Sequence, residues 1–178
     1  CEDGFVVGFH VADVDDRRGI LQRIAQRHGV DRRAFLDRDP DAIDITEAIV
    51  RRWPHLRIID EAADNRTVDE SAEAIAMLGR RVSRRAVLFV DSLQKVRLRW
   101  DAKNEPRNDK DRIDRVLRCL SSYARKGLTI IATCEVPRGY YGGPKKRRRF
   151  EGPSALAAFK ASGDIEYALW TGLVLTRI

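Results

Sequence analysis

The sequence predicts an α/β domain, a mostly parallel sheet with helices on both faces. Three observations lead there. Short continuous apolar runs, clearest in Ala86-Val87-Leu88-Phe89-Val90, have the length and composition of strands buried on both faces. Between them lie stretches with apolar residues at helical spacing, such as Val68, Ala72, Ile75, Leu78 and Val82. Carboxylates close the runs: Asp13, Asp91 and Glu135 fall at or just past predicted strand ends, and open parallel sheets bind ligands at the carboxyl ends of their strands.

Each element has its own reason. The run at 5–11 is the first strand. Residues 15–27 carry Ile20, Leu21 and Ile24 on one face and read as a helix ended by Gly29. Asp44-Ile45-Thr46-Glu47 has capping-box spacing and predicts a short helix that opens there and closes near Trp53-Pro54. A second strand follows at 56–60. Thr67-Val68-Asp69-Glu70 is another capping box, opening the helix that carries Ile75. The run at 86–91 is the strongest strand. A polar stretch over 95–109 reads as a loop, and 111–126 as a helix that turns Ile113, Val116, Leu117 and Leu120 inward and stops at Gly127. A strand at 128–133, a polar loop at 135–153 rich in Gly, Pro and basic residues, a short helix at 155–161 and a strand at 172–176 complete the reading. No repeat or long linker divides residues 1–178, so a single domain is expected.

Composition narrows the function. With 43% hydrophobic and 34% charged residues in 178, the chain is long and apolar enough to fold around one core. No apolar run approaches the roughly 18–20 residues of a membrane span, and no basic segment followed by an apolar one marks a signal peptide. Cys1, Cys119 and Cys134 are odd in number and widely spaced, which excludes a disulfide framework or zinc cluster and leads us to expect a reducing, cytoplasmic setting. His10, His28 and His55 lack ligand spacing and are read as structural or surface residues, and Trp53, Trp170 and Met77 as packing residues. Thirty-four Lys and Arg against 27 Asp and Glu leave a net charge of +7, which favours a polyanionic partner through counterion release.

The chemistry centres on Asp91. A buried strand that ends in Asp is the Walker B arrangement, which fixes a carboxylate where it can hold Mg²⁺ beside a nucleotide's phosphates. The same Asp could instead cap the next turn. The continuation separates the two readings. Leu88-Phe89-Val90-Asp91-Ser92-Leu93-Gln94 resembles the Walker B block of DnaB-type replicative helicases, a hydrophobic strand running into Asp, one further residue, Leu and Gln. Phe9-His10-Val11-Ala12-Asp13 looks like that family's Ser-Leu-Glu-Met strand. Ile130-Ile131-Ala132-Thr133-Cys134-Glu135-Val136-Pro137-Arg138 lies where the family has a strand ending in Ser-Gln-Leu-Asn-Arg. Lys160-Ala161-Ser162-Gly163-Asp164-Ile165-Glu166 is similar to Arg-Glu-Ser-Gly-x-Ile-Glu. The blocks keep the family's order across nearly the whole chain, and plasmid RepA-type and primase-linked helicase domains fit about equally well.

The resemblance implies a RecA-like P-loop NTPase core that uses ATP and Mg²⁺ to move along single-stranded DNA in replication, assembled as a ring, with a hexamer expected. It implies Asp91 as the metal ligand, Asp91 and Gln94 beside the nucleotide, Asp13 as the residue that positions water, and Glu135 in the place of the family's γ-phosphate-sensing Gln. Three departures stand against it. The phosphate loop, GxxxxGK followed by Ser or Thr, does not occur in the sequence; it is expected upstream of Cys1 or lost, since Gly139-Tyr140-Tyr141-Gly142-Gly143-Pro144-Lys145-Lys146 has the wrong spacing and no hydroxyl residue after its lysines. The ungapped match to the family's catalytic Glu is Ala12, and Asp13 fits only with a one-residue insertion. Glu135 puts an anion where a phosphate would approach. Two basic loops suit single strands, whose phosphates attract Lys and Arg and whose bases stack on aromatics. The first offers Arg97 and Arg99 beside Trp100. The second offers Arg138, Lys145 and Lys146, with Arg147, Arg148 and Arg149 where the family supplies a basic finger to a neighbour's ATP. The rival readings are a RecA-like module that binds nucleic acid or a partner without hydrolysing ATP, and a recombinase-type relative.

Overall fold

Alternation of apolar runs with amphipathic segments resolves into one parallel sheet in the computed structural model, which describes residues 4–12, 17–99 and 105–134. Strands β1 (Val6–Val11), β2 (Leu56–Asp60), β3 (Ala86–Asp91) and β4 (Leu128–Ala132) lie in the order β2-β1-β3-β4. The register sets Val11 level with Asp60 on one side and Asp91 on the other. The carboxyl ends of three strands therefore form one edge.

Helices α1 (Arg17–Arg27), α2 (Arg32–Leu36), α3 (Pro40–Arg51), α4 (Val68–Arg81) and α5 (Asp109–Arg125) cover both faces. α4 packs on β1 and β3, and α5 on α4 and β4. A Cβ on Gly8 would lie 2.5 Å from Ile75 Cγ1, so glycine permits α4 to approach β1 this closely. Ile75, Leu88 and Val116 are wholly buried there, each contributing about 1.5–3 kcal/mol by leaving water. The alternate residues Val7 and Phe9 point to the other face, in register with Leu56 and Ile58. On that face Phe9 stacks on Phe89 at 4.7 Å, and α1 packs on β2 with α2 and α3 against it.

The capping box at Thr67 forms as expected: its backbone N–H and hydroxyl both donate to the Glu70 carboxylate, each at 3.0 Å. The one at Asp44 does not. α3 starts four residues earlier, because Asp39 accepts from the Asp41 N–H at 2.9 Å and Pro40 enters the first turn. Asp44 is thereby interior to the helix, and Thr46 donates to the Ala42 carbonyl at 2.7 Å. The short helix α2, capped by Asp31, was not expected. Met77 is 56% exposed rather than packed. The helix predicted at 155–161 and the strand at 172–176 lie outside the described residues.

Candidate functional site

The carboxyl edge of the sheet gathers the chemistry. β3 delivers Asp91 there, and the chain continues through a cis Asp91–Ser92 peptide. The Thr133 hydroxyl, one residue past β4, donates to Asp91 Oδ1. The Ala12 N–H, one residue past β1, donates to the Asp91 carbonyl at 2.8 Å. Asp91 is thus pinned between its two neighbouring strands with its carboxylate half-exposed. Beside it the Ser92 hydroxyl is buried with no hydrogen-bond partner among the described residues.

The segment after β3 is an anchored strap. Its alternation of basic and apolar residues works as it would in a strand: Val96 and Leu98 enter the core, while Lys95, Arg97 and Arg99 remain outside. Arg112 of α5 ties it down by donating to the Val96 carbonyl at 3.2 Å and to the Gln94 carbonyl. The Gln94 side-chain amide donates to Cys134 Sγ at 2.8 Å, which links the strap to the end of β4.

The feature missed from sequence is a buried polar cluster next to this edge. His10 of β1 is fully buried. Its Nδ1 lies 2.9 Å from Ser71 Oγ, and its Nε2 lies 2.8 Å from Glu61 Oε2. Ser71 Oγ donates to the Thr67 carbonyl at 3.0 Å, and Glu61 accepts from the Arg97 N–H at 2.9 Å and from Arg97 Nε at 2.8 Å. Both imidazole nitrogens therefore have hydrogen-bond partners, so the buried ring is satisfied on both sides. Burial pushes the Glu61 carboxyl up, but hydrogen bonds from His10 and from the Arg97 backbone and guanidinium outweigh it and hold it below its ordinary value. A signal did exist in the sequence, since a titratable side chain inside an apolar strand, Phe9-His10-Val11, requires a buried partner. Which residue that partner would be depended on β2 lying beside β1.

Glu61 and Arg97 also line a polar cleft of about 350 Å³ at the ends of β1 and β2, with Ala12, Asp60 and Asn65. Asp60 is occupied locally, accepting from the Ala62 and Ala63 N–H groups at 3.1 and 3.0 Å.

Of the residues singled out from sequence, Asp91 and Gln94 lie at this edge. Arg97 reaches it with its guanidinium on Glu61, and Arg99 is largely exposed, 3.8 Å from Glu70. Asp13, Glu135, Arg138, Lys145, Lys146, Arg147, Arg148 and Arg149 lie outside the described residues. Asp91 and the Thr133 hydroxyl fit one flank of a magnesium–nucleotide site. Among the described residues no group of three or more His, Cys, Asp or Glu could hold a metal ion.

Comparison with known proteins places the architecture. The chain matches no protein-family model and no curated protein. It does match a solved structure of a DnaB-like replicative helicase, reported with its interactions with primase, at a TM-score of 0.69 and 16% identity. The match covers 94% of this chain and 40% of the helicase chain. This domain has the RecA-like α/β fold of that helicase. It spans less than half of the length of the protein that it resembles. No helix among the described residues is long and apolar enough to cross a membrane.

Proposed function

We propose that this chain is the motor core, or part of it, of a DnaB-type helicase that hydrolyses ATP with Mg²⁺ and translocates on single-stranded DNA as a ring-shaped homo-oligomer. The observation that carries the reading is the pinned carboxylate of Asp91 at the carboxyl edge of a sheet that superimposes on a replicative helicase. On this reading Asp91, oriented by Thr133, holds the metal, and bound Mg²⁺ neutralises charge on the phosphates. Asp13 positions the attacking water, and Glu135 and Gln94 flank the nucleotide. Arg147, Arg148 and Arg149 reach the phosphates of a neighbour. Arg97, Arg99, Arg138, Lys145 and Lys146 contact the DNA backbone, Arg97 by exchanging or sharing its bond to Glu61.

A second reading, a RecA-like module that binds nucleic acid without turnover, draws support from Ala12 at the end of β1 and from the lack of a GxxxxGK motif in these 178 residues. One experiment tests both. ATP hydrolysis by the full-length protein, with and without single-stranded DNA, is expected to be DNA-stimulated and to fall by about 10³-fold or more in Asp91→Ala. DNA binding that weakens steeply with salt but brings no turnover would discard the motor and leave the module.

A further inference from the structure

Away from the sheet edge, α1, α2 and α3 do not close onto β2. They leave a cavity of about 580 Å³, within the range of small-molecule sites. Its wall is apolar, with Leu21 from α1, Phe35 from α2, Ile43 and Val50 from α3, and Leu56 and Ile58 from β2. Four arginines, Arg17, Arg18, Arg38 and Arg51, stand around it with a single acid, Glu47.

The arginines are not equivalent. Arg17 is paired with Asp64, and Arg51 with Glu47 at 2.8 Å. Arg18 donates to the Leu36 carbonyl at 2.8 Å and lies over the Phe35 ring, 5.9 Å from its centroid. Arg38 has no ion-pair partner among the described residues. It sits just past α2 at φ 61°, a left-handed conformation uncommon for a residue with a side chain. An unpaired guanidinium at the mouth of an apolar chamber specifies the chemistry of an occupant: an apolar body and an anionic head.

We propose that this cavity binds a small amphipathic anion, a carboxylate on a hydrocarbon or aromatic body, with Arg38 holding the head and the α1–α3/β2 wall holding the body. The class follows from the excess of arginine over acid at the rim and from the apolar wall contributed by four elements. The proposal does not depend on the ATPase reading: of the lining residues Arg17 reaches the carboxyl edge through its N–H to Asp60, but Arg38 and the apolar wall, which carry the proposal, stand apart from Asp91.

The probe is dodecanoate, kept below its micelle concentration and titrated into the full chain by calorimetry. Binding is expected at one per chain, tightening about fourfold with each methylene from octanoate upward. Arg38→Glu is expected to weaken dodecanoate at least tenfold while leaving dodecanol unchanged. Val50→Trp, which fills the chamber, is expected to abolish binding of both. Thermal unfolding of each variant separates loss of the site from loss of the fold, and Arg38, being exposed, is the substitution that the fold tolerates. Equal affinity for dodecanol and dodecanoate, or affinity untouched by Arg38→Glu, would overturn the anionic assignment. No binding by the folded wild type would overturn the site, as would concentration-dependent dimerisation blocked by Val50→Trp, which would give the cavity to a second copy of the chain.

Discussion

The two faces of this sheet are built to different standards. On one, α4 packs on β1 and β3, and α5 on α4 and β4. Ile75, Leu88 and Val116 are fully buried, and glycine at position 8 lets helix and strand meet at a distance no side chain would allow. On the other, three shorter helices border an open pocket of about 580 Å³ beside β2, with an apolar wall and four arginines around it. The close-packed face holds the strand ends in register, so Asp91, Ala12 and Glu61 meet at one edge. The open face has room for something else. Stability and site geometry belong to the first face, and capacity to the second.

The largest test of this contrast is a matched pair of truncations. Ile75→Ala is expected to cost about 4 kcal/mol, because the packed face cannot collapse around the hole, and Ile43→Ala, beside an existing cavity, about 1 kcal/mol. Thermal unfolding would read these as drops differing by roughly 6–12 °C for a domain of this size. Equal drops would mean that the faces are packed alike.

The next largest effect is at Glu61. Glu61→Leu removes one partner from a buried charged cluster and is expected to cost about 3 kcal/mol by urea unfolding. The same carboxylate gives a pH signature. Because its pKa in the folded protein is held below the unfolded value, its contribution is complete above the unfolded pKa and is lost as pH falls through the lowered one. Between pH 6 and pH 3 the wild type should therefore lose more stability than Glu61→Gln. Parallel pH profiles would show that the cluster does not hold Glu61 ionised.

Gly8→Ala sharpens the packing argument at a single atom. With Ile75 Cγ1 and Cδ1 at 2.5 and 2.7 Å from the added carbon, about 2 kcal/mol of strain is expected, and a double substitution with Ile75→Val should recover part of it. The smallest effect is at the cap of α4. Thr67→Ala should lower stability by about 1 kcal/mol, and Asp39→Ala at the cap of α3 by a similar amount if the two helices differ only in what they cover.

Much of the packed face could be read in advance. The strand at 86–91 is a continuous apolar run up to Asp91, those at 56–60 and 128–132 are short apolar runs interrupted by Arg57 and Thr129, and the Thr67 cap and the inward stripe of the 111–126 helix carry their periodicity in one short window. The open face was harder. Asp44 and Glu47 have the spacing of a capping box, but Asp39-Pro40 upstream is the stronger start, and α2 is too short to show a period.

The sequence by itself determined the strands, their parallel arrangement and the carboxylate that ends β3, because apolar continuity and turn residues act over a few neighbours. Only the tertiary structure decided that β1 lies between β2 and β3, and with it that His10 meets Glu61, 51 residues away, and that Glu61 takes Arg97 out of a loop otherwise read as free. Those partners are chosen by strand order and by the need to satisfy buried polar groups. The cavity under α1, α2 and α3 belongs to the same class. It is a space left between elements, set by how far each helix stands from β2.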